Sequence, residues 1–271
     1  MTMPLLTAAL RRGLLLLAVL ALAGCATRGP AGVNLDTSIT ATGQSTRVRY
    51  VVLHYTTTDD PHSLRLLSTG KVSAHYLVTD EPSGRVYRLV DENRAAWHAG
   101  ASAWYAQTSL NFTSIGIEIV NTGFTEGPDG NRIWHPYSAT QVQALTALLK
   151  DLVARHRIAP ENVVGHSDIA PQRKLDPGPL FPWRALAQAG VGRWFDEEGA
   201  ARHLARLQVE GTPDVRWFQQ QLARLGYACP QHGELDRETR NVLAAFQMHY
   251  RPATHDGQPD AETAAIMLAM R

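Results

Sequence analysis

The sequence predicts an α/β fold: a mixed β-sheet packed by helices, with a small C-terminal three-helix domain. Between about residues 47 and 189, apolar strands interleave with helices, the order that lays helices on a sheet. After about residue 212 the apolar residues recur only at helical spacing, in three short capped runs. A chain of 271 residues holds one full core plus a small second domain. With 44% hydrophobic residues and a net charge of +1, it has no basic excess for nucleic acid and no acidic tail.

The first 24 residues read as a secretory signal. Arg11 and Arg12 precede an apolar run, Leu14 to Leu22, that is short for a mature transmembrane helix. The run ends Leu22-Ala23-Gly24-Cys25, which resembles a bacterial lipobox. That resemblance implies cleavage before Cys25 and lipidation of its thiol. Ala26, where an Asp would signal inner-membrane retention, implies the outer membrane, with the folded part facing the periplasm. The alternative is an ordinary signal peptide with an incidental Cys. Cys229 is then left without a disulfide partner and reads as a buried small hydrophobe rather than a reactive group. Residues 25–46, rich in Ala, Gly, Ser and Thr, read as a flexible lipidated tether.

Arg47 to Thr56 is a strand whose nearly continuous apolar run suggests burial on both faces. Pro61 to Leu67 reads as a short helix. Val72 to Val78 and Arg85 to Val90 read as strands joined by a turn at Pro82-Ser83-Gly84. Ser114 to Asn121 alternates, with Ile115, Ile117 and Ile119 on one face and Glu118 on the other. Pro128 to Asn131 is a turn. Ser138 and Gln141 form a capping box for a helix that ends near Arg157, and the strand Val163-Val164 follows. Residues 47–189 make the first domain, and 190–211 form a charged connector with some helix. In the second domain, 212–271, Thr212 caps a helix with Pro213 at its first position, and Gly226 stops it. Asp236 and Asp260 cap the other two, and the three make a bundle of marginal core size.

Four polar groups point to one place. His54 ends the first strand, Glu118 sits in an apolar strand, and His166 and Asp176 lie ten residues apart on a Pro-rich loop that can turn back on itself. Two imidazoles and a carboxylate suit a zinc ion with an open position for water, hence metal-assisted hydrolysis. An apolar surround would raise the pKa of Glu118, which suits a general base. Lys174, alternating with Asp176, is placed to stabilise an oxyanion. Blander readings stand beside this one. A His at a strand end is usually a hydrogen-bonded structural residue, a Glu in a strand usually faces solvent, and Asp176 before Pro177 could simply shape a turn.

The segments His54-Tyr55-Thr56, Ser73 to Val78, Ala96-Trp97-His98-Ala99-Gly100, Ser114 to Ile119 and Gly165 to Pro179 resemble the zinc-dependent N-acetylmuramoyl-L-alanine amidases. Phage amidases and animal peptidoglycan-recognition proteins share that fold. The likeness covers about residues 47–187 with its motifs in order. It implies one zinc per chain on His54, His166 and Asp176, Glu118 as catalytic acid/base and Lys174 as oxyanion partner. It also implies peptidoglycan or muropeptides as substrate. His75 and Tyr76 are candidates to face substrate, although His75 could be a satisfied core residue. Trp97, His98 and Asn111 are expected to line the groove, since aromatic faces suit sugar rings. His62, His135, His156, His203, His232, His249 and His255 have no ligand-like context. Gln219 to Leu225 and Thr239 to Pro252 resemble a three-helix peptidoglycan-binding module, the alternative being a packing appendage. Two rival functions remain: a binding protein of the recognition type without turnover, and a lipid-tethered clamp joining outer membrane to wall.

Overall fold

The computed structural model describes residues 31–270. The signal stretch and Cys25 therefore lie outside the described residues. Residues 31–45 carry no helix or strand and are exposed. From Thr46 onward the chain forms one compact unit. In chain order its elements are β1 (Tyr50–Tyr55), α1 (Asp60–Thr69), β2 (Tyr76–Val78), β3 (Val86–Arg88), β4 (Ala103–Trp104), β5 (Gln107–Thr108) and β6 (Ser114–Ile119). Then come β7 (Phe124–Glu126), β8 (Arg132–Trp134), α2 (Ala139–His156), β9 (Val163–Gly165) and α3 (His166–Ile169). The chain continues through α4 (Trp183–Gln188), α5 (Glu197–Glu210), α6 (Val215–Arg224), α7 (Arg237–Tyr250) and α8 (Ala261–Ala269).

The main sheet has the order β3-β2-β6-β1-β9. Its four strands β2, β6, β1 and β9 run parallel, and β3 is antiparallel to β2. The expected mixed sheet is therefore present, and β1 is buried on both faces as its apolar run demands. Alternation sorts the side chains. Val51, Leu53, Ile115, Ile117 and Ile119 pack with Leu145, Leu149 and Leu152 of α2. The other face, with Tyr50, Val52 and Val164, joins Trp104 and Leu110 and then Phe218, Leu222, Val242 and Phe246 of the C-terminal helices. One continuous apolar core thus runs from the sheet into the last third of the chain.

The Ser138 capping box of α2 forms in both directions, with Gln141 N–H donating to Ser138 Oγ at 3.2 Å and Ser138 N–H donating to Gln141 Oε1 at 3.0 Å. Other expectations need correction. The strand expected from Val72 starts only at Tyr76, because Ser73 is drawn to another loop. Its N–H donates to Trp97 O, and its hydroxyl accepts the Trp97 N–H. The strand expected over Arg85–Val90 is Val86–Arg88. Asp214, not Thr212, caps α6, since its carboxylate reaches the Trp217 N–H at 2.9 Å; Pro213 precedes the cap. The stretch 190–211 holds the 14-residue helix α5, which packs on α8, and the three helices expected over 212–271 are α6, α7 and α8. Cys229 is half-buried, and burial foremost pushes its thiol up to about 12.

Tyr76 does not face the groove. Its hydroxyl donates to Glu92. The same carboxylate accepts two N–H groups of Arg155, at 2.8 and 2.9 Å, and pairs with His156 Nε2 at 2.6 Å. This network ties the end of α2 to the β2–β3 side of the sheet. Arg155 foremost, with Tyr76 and His156, holds the Glu92 carboxyl well below the usual range, against the opposing effect of burial. A depressed folded value means stability that is fully present above the ordinary 4.5 and lost as pH falls below it. Glu92→Gln should therefore melt below wild type at pH 7, and the two melting curves should converge as the pH is lowered well below 4.5. A constant gap down to the acid limit would contradict this role.

Candidate metal centre

The register of the parallel strands sets up the site. His54 of β1 stands opposite Glu118 of β6, and Leu53 stands opposite Gly165 of β9. His166 follows Gly165 by one step and so emerges beside His54. Glu118, His54 and His166 thus form a row across three neighbouring strands at their C-terminal ends, where open parallel sheets bind ligands. The loop after α3 returns Asp176 to the same row. Ser167 N–H donates to Asp176 O at 2.8 Å, which fastens the loop's two ends together.

Three donor atoms converge there. His54 Nδ1 and His166 Nδ1 are 2.9 Å apart, and each lies 3.0 Å from Asp176 Oδ2. All three residues are buried. The outer hydrogen bonds decide the tautomers. Ser114 Oγ–H donates to Leu110 O at 2.6 Å, so this hydroxyl accepts from His98 Nε2 at 3.1 Å. Burial foremost pushes the His98 pKa well below 6.5, so the ring is neutral and its Nδ1 is an acceptor. His54 Nε2–H donates to it at 3.0 Å, which leaves the lone pair on His54 Nδ1. His166 Nε2–H donates to Ala99 O at 3.2 Å, which likewise frees its Nδ1.

Burial, helped by His166, pushes the His54 pKa down to about 4 in spite of Asp176. Burial raises the Asp176 carboxyl, but His166 and His54 together outweigh it and keep it ionised. The Nδ1 atoms of two imidazoles and a carboxylate oxygen thus converge on one point. Their N,N,O composition suits a divalent metal. Outer partners of this kind fix ring orientation in metal sites.

The donors open on a cavity of about 350 Å³. Glu118, Lys174, Arg173, Tyr55 and Trp97 line it. Glu118 Oε2 is buried without a hydrogen-bond partner among the described residues. Burial foremost, then Asp176, raises its pKa well above 4.5, while Lys174 acts in the opposite sense. Trp97 is 51% exposed and meets the exposed Phe112 edge to face at the rim.

Other expected groove residues are elsewhere. His75 is wholly buried; its Nδ1 accepts the Gly116 N–H at 3.0 Å, and its Nε2 meets Arg94 O at 3.1 Å. Asn111 Oδ1 accepts the N–H groups of His98 and Ala99, so it shapes the loop that carries them. His98 does line the cavity, next to His54. Its ring lies on Gly116, where a Cβ would come within 2.3 Å of it. Sequence reasoning missed Arg173, whose guanidinium donates to Ala99 O and Ala101 O and so clamps the same loop. Its position beside Lys174 in the loop motif was the available signal.

The profile of the N-acetylmuramoyl-L-alanine amidase family matches residues 44–179. The chain belongs to that family. A second profile, a putative peptidoglycan-binding domain, matches residues 211–267 of the amidase. The amidase is 45% identical to N-acetylmuramoyl-L-alanine amidase AmiD of Escherichia coli strain K12, over 94% of this chain and 95% of that one. It is 40% identical to the 1,6-anhydro-N-acetylmuramyl-L-alanine amidase AmpD of Enterobacter cloacae, over 37% of this chain and 48% of that one. Its fold matches E. coli AmiD in complex with the substrate anhydro-N-acetylmuramic acid-L-Ala-D-γ-Glu-L-Lys. The TM-score is 0.82, with 44% identity and coverage of 89% and 95% of the two chains. AmpDh3 of Pseudomonas aeruginosa matches with TM-score 0.82 and 40% identity, covering 88% and 97%.

The hydrogen-bond chain behind His54 generates a prediction. His98→Phe keeps a ring on Gly116 but cannot accept the His54 N–H. Its metal affinity, read by competition with a chromophoric chelator, should fall about ten- to a hundredfold. An unchanged affinity would mean that His98 does not set the His54 tautomer.

Proposed function

We propose that this amidase is a zinc enzyme that cleaves the amide between the lactyl group of N-acetylmuramic acid and the L-alanine of the stem peptide. The observation that carries the reading is the set of three converging donors, His54, His166 and Asp176, beside a carboxyl whose Oε2 is buried without a partner. When bound there, zinc supplies Lewis acidity to the scissile carbonyl and lowers the pKa of a neighbouring water. Glu118 takes the proton from the attacking water and returns it to the departing amine, for which its raised pKa suits it. The Lys174 ammonium faces the oxygen on which negative charge develops. The C–N bond breaks to give a lactyl carboxylate and a free L-alanine amine. Exposed Trp97 and Phe112 offer an apolar platform for the sugar ring at the rim.

The relatives' substrates favour soluble anhydro-muropeptides, since AmiD was captured with an anhydro-muramyl tripeptide. We assign residues 47–189 to catalysis and 212–271 to wall binding, the latter on the peptidoglycan-binding match. We assign the enzyme to the outer membrane, facing the periplasm, through a lipid anchor, because segment 1–24, Cys25 and the tether to 46 resemble a lipoprotein leader. A wall-binding clamp without turnover would have no use for a Glu118 whose Oε2 is buried without a partner beside the three donors.

Chelation should abolish release of the new amine from a defined muramyl peptide, and zinc should restore it. Full activity after verified metal removal would refute the metal reading. Glu118→Gln should lose about a hundredfold or more in turnover while keeping its zinc. Loss of zinc in this variant would instead make Glu118 a ligand and put Asp176 in doubt.

A further inference from the structure

Asp168 is a buried carboxylate that the reaction does not use; it is 1% exposed and sits two residues after His166. It accepts three hydrogen bonds. Its Oδ2 takes the Gly165 N–H at 2.7 Å, bridging the turn on which β9 ends and His166 begins. The other two donors come from far along the chain. Tyr227 O–H donates to Oδ1 at 2.7 Å, and His249 Nδ1–H donates to Oδ2 at 2.8 Å.

Both donors are held rigidly. The His249 ring stacks on Trp183 at 3.7 Å between centroids, and Tyr227 meets Trp104 edge to face. The turn they grip has no slack. A Cβ on Gly165 would come within 2.7 Å of Pro177, next to Asp176. Ser167 in the same turn binds the Asp176 carbonyl. A shift of Asp168 therefore moves the backbone under His166 and, through Ser167, the backbone of Asp176.

We propose that Asp168 is a positioning residue, and that Tyr227 of the loop after α6 and His249 of α7 hold it where His166 and Asp176 meet His54. This rests on the reading that those three hold the metal. The C-terminal region, matched to a wall-binding domain, thereby contributes to turnover even of a soluble fragment that never touches wall. The chemistry is plain: three donors converge on one anion, and removing any of them lets the carboxylate and its turn relax.

The test uses the full chain loaded with zinc. Tyr227→Phe removes one oxygen, and His249→Phe keeps a stacking ring but loses the Nδ1 donor. The double variant should bind zinc about tenfold or more weakly. It should turn over a soluble muramyl tripeptide with lower kcat and unchanged KM, well below its melting temperature. Leu222→Ala, a cavity in the same core, should lower the melting temperature and leave zinc affinity and kcat as in wild type. His249→Asn, which restores a donor near the Nδ1 position, should recover zinc affinity over His249→Phe. If the double variant does not fold, Tyr227→Phe alone gives the same readings. A lower melting temperature with unchanged zinc affinity and kcat would overturn the proposal and leave the helices a brace. His166→Ala keeps the two questions apart. If it loses zinc while the double variant does not, this inference alone fails; if it keeps zinc, the metal reading fails and this inference with it.

Discussion

Everything in this molecule depends on bringing three donor atoms together in a dry place. Two imidazole nitrogens and a carboxylate oxygen lie within 3.0 Å of one another, nearly out of contact with water. Such an arrangement is costly to assemble, because a carboxylate taken out of water carries a desolvation penalty of several kcal/mol. The fold must hold it against that cost. It does so with outward hydrogen bonds that fix where the protons are: Ser114 to His98 to His54 on one side, Ala99 to His166 on the other.

The layers follow from the same need. Parallel register lines up Glu118, His54 and the start of the His166 turn, and α2 closes one face of the sheet with Leu145, Leu149 and Leu152. The opposite face, below the site, is closed by the C-terminal helices through Phe218, Leu222 and Phe246. These helices bury the underside of the metal-site loop and reach it with polar side chains as well. Because the C-terminal helices and the sheet share one core, they are coupled in stability as well as by the chain that joins them.

Much of this was legible in the sequence. The sheet, the capped α2 and the face alternation of Ser114 to Ile119 follow from local periodicity and capping chemistry. His54, His166, Asp176 and Glu118 stood out because polar residues interrupt apolar strands or follow one on a rigid loop, and the structure brings all four together. The failures have physical causes. His75 directly precedes β2 and Tyr76 begins it, and each is spent on a local network away from the groove. Asn111 looked like a groove residue because nothing nearby in sequence shows that its carbonyl is consumed by two loop N–H groups. Asp168 pairs with Tyr227 and His249 across 59 and 81 residues, and no local pattern reports a contact that tertiary packing creates. His249 was dismissed for want of a ligand-like context, and its partner is indeed a carboxylate rather than a metal.

Zinc K-edge absorption of the loaded protein tests the central claim most directly, because it reads the donor atoms rather than their consequences. The account predicts two imidazole nitrogens and one carboxylate oxygen from the chain, one further light-atom neighbour, and no sulfur. A sulfur donor, or a single imidazole, would contradict it.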